Sequence, residues 1–363
     1  MEEWCVSMPK IELHAHLNGS IRLTTLLELA KALTENQKGA VNISQVEHVI
    51  MKHDLSLTEV FQLFDLIHNV ITDHNTVTRI TKEVIEDFAS DNVVYLELRT
   101  TPKRNDSIGM SKRSYVDAVM EGLRSVSSVD VDFIPNTQDS TSLSNLPIIT
   151  NENSRKIIIV RLILSIDRRE TTEAAMETVK LALEMRHLGV VGIDLSGNPK
   201  TGEWTTYLPA LKFAREQGLS VTLHCGEIRN SKEIKNMLEF HPQRIGHACF
   251  FEDEHWIKLK SSKIPVEICL TSNIRTFSVA SIEVHHFACL YKAKHPLVLC
   301  TDDTGVFSTR LSKEYKLAAN SFGLGRWEML ELSRNAVEYI FADNGVKNDL
   351  RIFFNSVANN MEV

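Results

Sequence analysis

The sequence lacks several features that would place it in a familiar class. Its 363 residues include six cysteines, and none forms a C-x-x-C pair, which excludes a zinc-finger type of site. No apolar run approaches the roughly 20 residues that span a bilayer, and no basic and apolar secretory signal is evident. The net charge of −7 argues against broad binding to nucleic acids or anionic membranes. We therefore expect a cytosolic monomer with reduced thiols.

Short apolar runs alternate with amphipathic segments along the chain. Several of these runs are apolar on both faces, as parallel strands buried in a sheet are. Eight of them are predicted strands: residues 10–17, 93–99, 156–166, 190–195, 220–224, 244–247, 265–270 and 296–301. The intervening segments have apolar positions three and four residues apart, a helical spacing, as in residues 172–186, 208–217 and 231–240.

This alternation predicts an α/β fold, a (β/α)₈ TIM barrel that forms a single domain over residues 1–363. An open, doubly wound sheet is the alternative, but no glycine-rich phosphate turn follows the first strand. Extra helices are predicted at residues 57–70 and 74–90, where they can cover one end of the barrel. Residues 128–156 are polar and are predicted to form a mobile surface insertion.

The most informative stretch is residues 11–19, which contains His14 and His16. Side chains alternate between the faces of a strand, so these two imidazoles lie side by side. Neutral imidazole is a preferred ligand of zinc and similar cations. For this pair taken alone, two ordinary histidines at a strand end remain the alternative.

Other candidate ligands also follow predicted strands. His224 ends the fifth strand, His247 follows the sixth, and Asp302 and Asp303 follow the eighth. Barrel active sites form at the carboxyl ends of strands, so this clustering predicts one site. The fourth strand has no terminal lysine to bridge two metals, which favours one ion. The set that can bind one zinc ion is His14, His16, His224 and Asp302.

Three residues near these ends are candidates for the chemistry. Glu227 is predicted to be a proton donor, with a solvated glutamate at a helix start as the alternative. His247 either accepts a proton from the attacking water or directs its attack, unless it is purely structural. Asp303 either accepts a hydrogen bond from the substrate or braces its neighbours, and it shares the site with Asp302 only if the backbone turns between them.

Six motifs, taken in order, resemble the adenosine/AMP deaminase family of metal-dependent barrel hydrolases. They are ELHAHL at residues 12–17, DLSG at 194–197, HCGE at 224–227, RIGH at 244–247, TSN at 271–273 and TDD at 301–303. The resemblance covers essentially the whole chain. It is greatest to plant members of the adenosine deaminase-like branch, which deaminate N6-methyl-AMP.

This resemblance implies one zinc ion held by the four ligands above. It implies that Glu227 protonates purine N1, His247 orients the attacking hydroxide, Asp303 contacts N7 and the backbone of Gly197 lies near N3. Zinc lowers the pKa of bound water to about 7, which produces hydroxide near neutral pH. Attack at C6 would convert N6-methyl-AMP and water to IMP and methylamine.

Asn18 departs from the pattern of adenosine deaminases, which usually carry an aspartate there against the ribose 5′-hydroxyl. An aspartate facing a 5′-phosphate at about 4 Å would cost about 4 kcal/mol at an effective dielectric constant near 20. Asparagine removes that charge and offers an N–H donor. Asn18 therefore predicts a nucleotide substrate, although a simple turn before Gly19 is the alternative.

A phosphate also needs donors, and a short polar segment follows the second strand. Candidate contacts in that segment are Thr100, Thr101, Pro102 and Lys103. The resemblance adds His16, His68 and Asp167 as nucleotide contacts, and His68 is equally compatible with core packing. For Arg104, Arg168 and Arg169 a surface role has at least equal weight.

Other functions remain open at this stage. The chain can instead deaminate AMP or adenosine, or act as an amidohydrolase on a different amide or aminopurine. A more remote alternative is a nucleotide-binding protein without catalysis, which would be expected to have lost part of the metal or proton-donor set. The sequence does not predict a preference between methylated and unmethylated AMP.

Overall fold

A computed structural model of the protein describes residues 1–36, 57–135 and 156–361. Its single sheet is parallel, and its strands follow the order β1-β2-β4-β5-β6-β7-β8-β9, with β3 paired only to β4. The strands are β1 (Lys10–His16), β2 (Val93–Thr100), β3 (Asp130–Asp132), β4 (Ile157–Asp167), β5 (Val190–Ser196), β6 (Ser220–Cys225), β7 (Arg244–His247), β8 (Val266–Ile268) and β9 (Leu297–Leu299).

The sheet closes on itself just beyond β9. The Asp302 N–H donates to the His14 carbonyl at 2.8 Å, and the His16 N–H donates to the Asp302 carbonyl at 2.9 Å. These two hydrogen bonds join the last strand segment to β1 in parallel. The predicted eight-stranded α/β barrel is therefore confirmed, although β8 and β9 are shorter than predicted.

Helices surround this sheet. Those of the described residues are Glu2–Ser7, Leu23–Asn36, Leu57–Val70, His74–Ser90, Lys112–Ser125, Thr172–Glu184, Trp204–Glu216, Ser231–Phe240, Asp253–Ser262, Leu270–Arg275, Phe287–Lys292, Leu311–Phe322, Arg326–Asn335 and Asn344–Met361. Leu57–Val70 and His74–Ser90 have the predicted bounds. In the second of these, the Asp73 carboxylate accepts from the Thr76 N–H at 2.9 Å and caps the helix. Among the helices described, none has the length and apolar character needed to cross a bilayer.

The predicted mobile surface insertion over residues 128–156 begins with regular secondary structure. Residues 130–132 form β3, which adds a short parallel strand beside β4. The reason is local: Val131 pairs with Ile158, and its side chain packs against the core, while the flanking aspartates stay partly exposed. Residues 136–155 lie outside the described part of the chain, so the rest of that prediction stays untested.

The barrel interior contains charged side chains as well as apolar ones. Arg244 on β7 donates to Glu97 on β2 at 2.5 Å and to Glu267 on β8 at 2.6 Å, and all three side chains are fully buried. Removing one partner of such a pair typically costs about 3–5 kcal/mol because a buried charge is left without compensation. These ion pairs hold opposite sides of the barrel together below the predicted site.

Candidate active site

The predicted metal ligands meet at the carboxyl end of the barrel. His224 Nε2 lies 3.1 Å from Nε2 of both His14 and His16, which lie 3.3 Å from each other. Asp302 Oδ1 lies 3.3 Å from His14 Nε2 and 3.4 Å from His16 Nε2. All four ligand atoms lie within 4.8 Å of one another. The structure therefore brings together all four residues that the sequence singled out as ligands.

This spacing fits one small divalent cation. Zinc binds imidazole nitrogen at about 2.0–2.1 Å, so neighbouring ligand atoms around one ion should lie about 3–3.5 Å apart. Five of the six separations among the four residues run from 3.1 to 3.4 Å, and the remaining pair, His224 and Asp302, lies within 4.8 Å. Three nitrogens and one carboxylate oxygen form a typical zinc donor set.

Two kinds of backbone create this arrangement. Along β1, His14 and His16 project from the same face because side chains alternate in a strand. Asp302 instead has a φ of +65°, a left-handed conformation that non-glycine residues adopt only when neighbouring contacts hold them there. The backbone therefore turns at Asp302, and both Asp302 and Asp303 line one cavity. The sequence required a backbone turn for Asp302 and Asp303 to share one site, and this turn is present.

Two buried carboxylates orient the histidine rings, and sequence reasoning missed both. His14 Nδ1 lies 2.7 Å from Glu267 Oε2, and His224 Nδ1 lies 3.0 Å from Asp194 Oδ1. An N–H donated from each Nδ1 leaves the Nε2 lone pair free to bind a metal. The sequence did contain a signal for this role, namely an acidic residue inside each of two strands that are otherwise apolar.

Arg99 on β2 connects these two carboxylates. Its guanidinium donates to Glu267 and lies 3.3 Å from Asp194 Oδ1, and all three side chains are fully buried. Burial by itself would raise the pKa of Asp194, but His224 and Arg99 hold it well below its usual value. Both carboxylates can therefore stay ionised and keep accepting hydrogen bonds from the ligand histidines.

We expect Asp194→Asn to weaken zinc binding about 10–100-fold, the usual effect of removing a charged partner behind a ligand histidine. The variant keeps an oxygen opposite His224 Nδ1 but loses the negative charge that makes the imidazole more basic. Competition with a chelator, followed by metal analysis, measures the affinity.

Ser165→Ala is the matched control, because Ser165 donates to the other Asp194 oxygen at 3.1 Å and contacts no ligand histidine. Its zinc affinity should change little. Unchanged zinc affinity in a folded Asp194→Asn protein would show that Asp194 does not support the metal site.

Glu227 and His247 lie close together beside the ligand cluster. Glu227 Oε1 is 3.9 Å from His247 Nε2. Glu227 Oε2 and His247 Nε2 are both buried, and neither has a hydrogen-bond partner among the described residues. Burial raises the pKa of Glu227, although His224 and Arg168 partly oppose the shift. A carboxyl with a raised pKa is suited to donate a proton near neutral pH.

The pKa values of Asp303 and its neighbour Asp302 shift in opposite directions. Burial, and then the charge of Asp302, raise the pKa of Asp303 well above its usual value. Burial acts in the same direction on Asp302, but the hydrogen bond with His14 and the nearby histidines hold its pKa well below the usual value. Asp303 can thus donate a hydrogen bond. Gly19 makes room for its carboxyl group, because a Cβ at residue 19 would overlap Asp303 Oδ1.

An open cavity of about 270 Å³ extends from this cluster. Most of the predicted contacts line it: His16, Asn18, His68, Thr100, Thr101, Asp167, Gly197, His224, Glu227, His247, Asp302 and Asp303. Pro102 and Lys103 are not among its lining residues, and His14 is fully buried behind it. Three of the four predicted metal ligands and most of the predicted nucleotide contacts therefore share one cavity.

Tyr115 contacts Asn18, and the sequence did not predict this contact. Tyr115 Oη donates to Asn18 Oδ1 at 3.4 Å and lies 2.9 Å from Thr100 Oγ1. Because Oδ1 serves as the acceptor, the Nδ2 hydrogens of Asn18 can donate to a ligand. Tyr115 lies in helix Lys112–Ser125, and no motif in the sequence marked it for this role.

Lys103 and His68 lie close to Asp167 and Arg169, which line the cavity. Lys103 Nζ and His68 Nδ1 are buried and have no hydrogen-bond partner within the described ranges. Burial, aided by Arg169, lowers the pKa of Lys103 to about 7, and burial with Lys103 lowers that of His68 to about 3. An anion would favour the charged form of Lys103.

The three arginines have different partners. Arg104 is exposed and lies 2.9 Å from Glu177, which agrees with a surface role. Arg168 is buried and bound to Glu233, so a solvated surface role is wrong for it. Arg169 donates to both Asp167 oxygens, at 3.0 and 2.8 Å, and lines the cavity. Of the three, only Arg169 is placed to meet a ligand there.

Comparison with known proteins gives consistent matches over the whole chain. The sequence profile described as adenosine deaminase matches residues 9–353. The chain is 66% identical over 356 residues to the N6-mAMP deaminase of Arabidopsis thaliana, which covers 98% of this chain and 99% of that protein. It is 38% identical over 355 residues to the N6-methyl-AMP deaminase of Homo sapiens, covering 95% and 92% respectively.

Solved structures agree with the sequence matches. The crystal structure of Arabidopsis ADAL complexed with IMP has a TM-score of 0.91 and 64% identity, and covers 99% of each chain. The adenine deaminase of Arthrobacter aurescens has a TM-score of 0.77 at 20% identity, with 97% of this chain and 100% of that chain covered. The second likeness concerns the fold alone.

Proposed function

The chain belongs to the adenosine deaminase family, and from that premise we propose that it hydrolyses N6-methyl-AMP to IMP and methylamine. The observation that carries the proposal is the composition of one cavity. That cavity is lined by three members of a zinc-type donor set, by Glu227 and Asp303, and by candidate phosphate donors such as Asn18. The curated relatives from Arabidopsis and human, which carry the name of this activity, support the choice of substrate.

We propose one zinc ion per chain, held by His14, His16, His224 and Asp302, whose ligand atoms all lie within 4.8 Å of one another, with a further position left for water. When bound, the metal supplies a nucleophile by lowering the pKa of water to about 7. Ser272 Oγ donates to Asp302 Oδ2 at 2.7 Å, which leaves Oδ1 directed at the three histidine nitrogens. The chain thus prepares all four ligand atoms in advance.

The remaining residues act on the purine. Glu227 donates a proton to N1, which makes C6 more electrophilic, and the raised pKa supports this role. Asp303, protonated, donates to N7. We place the backbone of Gly197 near N3. Its φ of +96° is a conformation that a residue with a side chain would adopt only with strain. Water supplies the oxygen of the new C6–O bond and two protons. One proton restores Glu227, and the other leaves with methylamine as the C6–N6 bond breaks.

Within the same cavity we assign the binding of the 5′-phosphate to Asn18 and its neighbours. Asn18 offers N–H donors without a negative charge, and Tyr115 fixes its orientation at 3.4 Å. The proposed contacts are completed by His68, Thr100, Thr101, Pro102, Lys103 and Asp167. Asp167 acts through Arg169, because both of its carboxylate oxygens already accept from that guanidinium. An anion here would compensate the buried Lys103 ammonium.

The substrate is tested by comparing N6-methyl-AMP, AMP, N6-methyladenosine and adenosine at equal enzyme concentration. We expect the highest kcat/KM for N6-methyl-AMP, with IMP and methylamine as products identified by chromatography. Nucleosides should be poorer substrates because they leave the phosphate donors unused.

The other outcomes separate the alternatives. If adenosine is the best substrate, the argument from Asn18 is wrong. A zinc-loaded protein that turns over no purine would point to an amidohydrolase with a different substrate. Tight binding of nucleotide without turnover would indicate a binding protein that lacks catalysis.

We propose further that the protein works as a single-domain monomer in the cytosol. All six cysteines are free thiols, and four of them are buried, which supports a reducing compartment. Sedimentation of the purified protein and fractionation of cells test these two points.

A further inference from the structure

A chain of hydrogen bonds runs behind His247, away from the metal ligands. The Phe287 N–H donates to His285 Nδ1 at 3.0 Å, and His285 Nε2 lies 3.2 Å from Asn273 Oδ1. Asn273 Nδ2 in turn lies 3.0 Å from His247 Nδ1. The three side chains are 1%, 2% and 3% exposed, so water does not compete at these contacts.

The first bond sets the direction of all the others. A backbone N–H can only donate, so His285 Nδ1 must accept and the ring proton of neutral His285 lies on Nε2. That N–H then donates to Asn273 Oδ1. The remaining Asn273 group is the amide N–H, which donates to His247 Nδ1. His247 must therefore carry its own proton on Nε2.

We infer that Asn273 and His285 are positioning residues that hold His247 in the Nε2–H tautomer, with that N–H directed into the cavity. This inference rests on the proposed function, because it assigns a task to a residue of the same site. The ring nitrogen that faces the cavity is the one with no partner among the described residues.

The tautomer decides between the two roles that sequence reasoning left open for His247. A ring nitrogen that already carries a proton cannot accept a second one while the ring stays neutral. His247 therefore donates a hydrogen bond to the attacking oxygen and fixes its direction. It does not act as the base that takes the proton of water.

A second contact holds the backbone of His247. His286 Nε2 donates to the His247 carbonyl at 2.7 Å, and the His285 and His286 rings stack with centroids 4.3 Å apart. Burial and the neighbouring His286 lower the pKa of His285 to about 2, so His285 stays neutral as the hydrogen-bond direction requires. Both contacts support the unusual φ of +67° at His247.

Long-range ¹⁵N–¹H correlation spectra of zinc-loaded protein labelled with [¹⁵N]histidine test the inference directly. The His247 signals are assigned by their loss in His247→Gln. We expect the wild-type His247 proton on Nε2. A proton on Nδ1 overturns the inference, whether or not the enzyme is active.

Asn273→Asp tests the role in catalysis. A carboxylate still accepts from His285 but cannot donate, so the His247 proton moves to Nδ1. We expect kcat to fall by about 10²-fold or more, because a catalytic histidine held in the wrong tautomer loses much of its activity. KM, zinc content and IMP binding should stay near wild type. An unchanged kcat in this variant overturns the inference.

Two substitutions of His285 provide the matched pair. His285→Gln keeps an N–H donor for Asn273 and should retain most of the wild-type kcat, whereas His285→Leu removes the donor and should lower it. Equal activity of the two variants contradicts the inference. If the wild-type protein fails to deaminate N6-methyl-AMP, the proposed function fails, but the NMR result still decides the tautomer.

Discussion

Glu227→Gln should lower kcat for N6-methyl-AMP by about 10³-fold, within the range that a positioned general acid contributes. Glutamine keeps the shape of Glu227 but has no acidic proton for purine N1. Glu227 is not one of the four proposed metal ligands, so the zinc content and IMP affinity of Glu227→Gln should stay near wild type. Steady-state kinetics, metal analysis and calorimetry with IMP measure these three quantities.

The control is Glu239→Gln, an exposed glutamate on the helix that begins shortly after Glu227. It tests whether loss of a negative charge nearby is enough to reduce activity, and it should be fully active. Substantial activity in Glu227→Gln would remove the proton-donor assignment, and Asp303 would then become the first candidate for that role.

Asn18→Asp should lower kcat/KM for N6-methyl-AMP by up to about three orders of magnitude. A carboxylate about 4 Å from a phosphate charge repels it by about 4 kcal/mol at an effective dielectric constant near 20. Nucleosides carry no such charge, so kcat/KM for N6-methyladenosine should not fall in parallel. The preference for nucleotide over nucleoside, measured on both substrates, should therefore shrink or reverse.

Asn18→Ala separates the added charge from the lost donor. Alanine removes the N–H contact without repelling the phosphate, so its effect should be much smaller, near the 1.5–3 kcal/mol of a hydrogen bond to a charged group. If both variants lose nucleotide and nucleoside activity equally, Asn18 is structural and does not sense the phosphate.

Local pattern was enough to predict much of this protein. The apolar runs predicted the eight barrel strands, because a strand buried on both faces is predominantly apolar along its length. Helix Ser231–Phe240 followed from three- and four-residue spacing, with Asn230 as its cap. The ligands were predictable because alternation within β1 places two histidines together and parallel strands end at one edge.

The contacts that tune the site were not predictable in this way. Glu267 meets His14 across a separation of 253 residues, and Asn273 meets His247 from the short helix Leu270–Arg275. Such pairs depend on the register and closure of the barrel, which no local window of sequence contains.

By itself, the sequence determined the order of the eight barrel strands and the candidate metal ligands from residue type and local spacing, and the kind of chemistry from the resemblance to a known family. Only the tertiary structure decided which carboxylates orient His14 and His224, which amide fixes His247, and how Asp302 and Asp303 come to share one cavity. The physical reason is that those outcomes depend on barrel closure and on left-handed backbone turns at His247 and Asp302. Such turns exist only because the surrounding packed structure holds them.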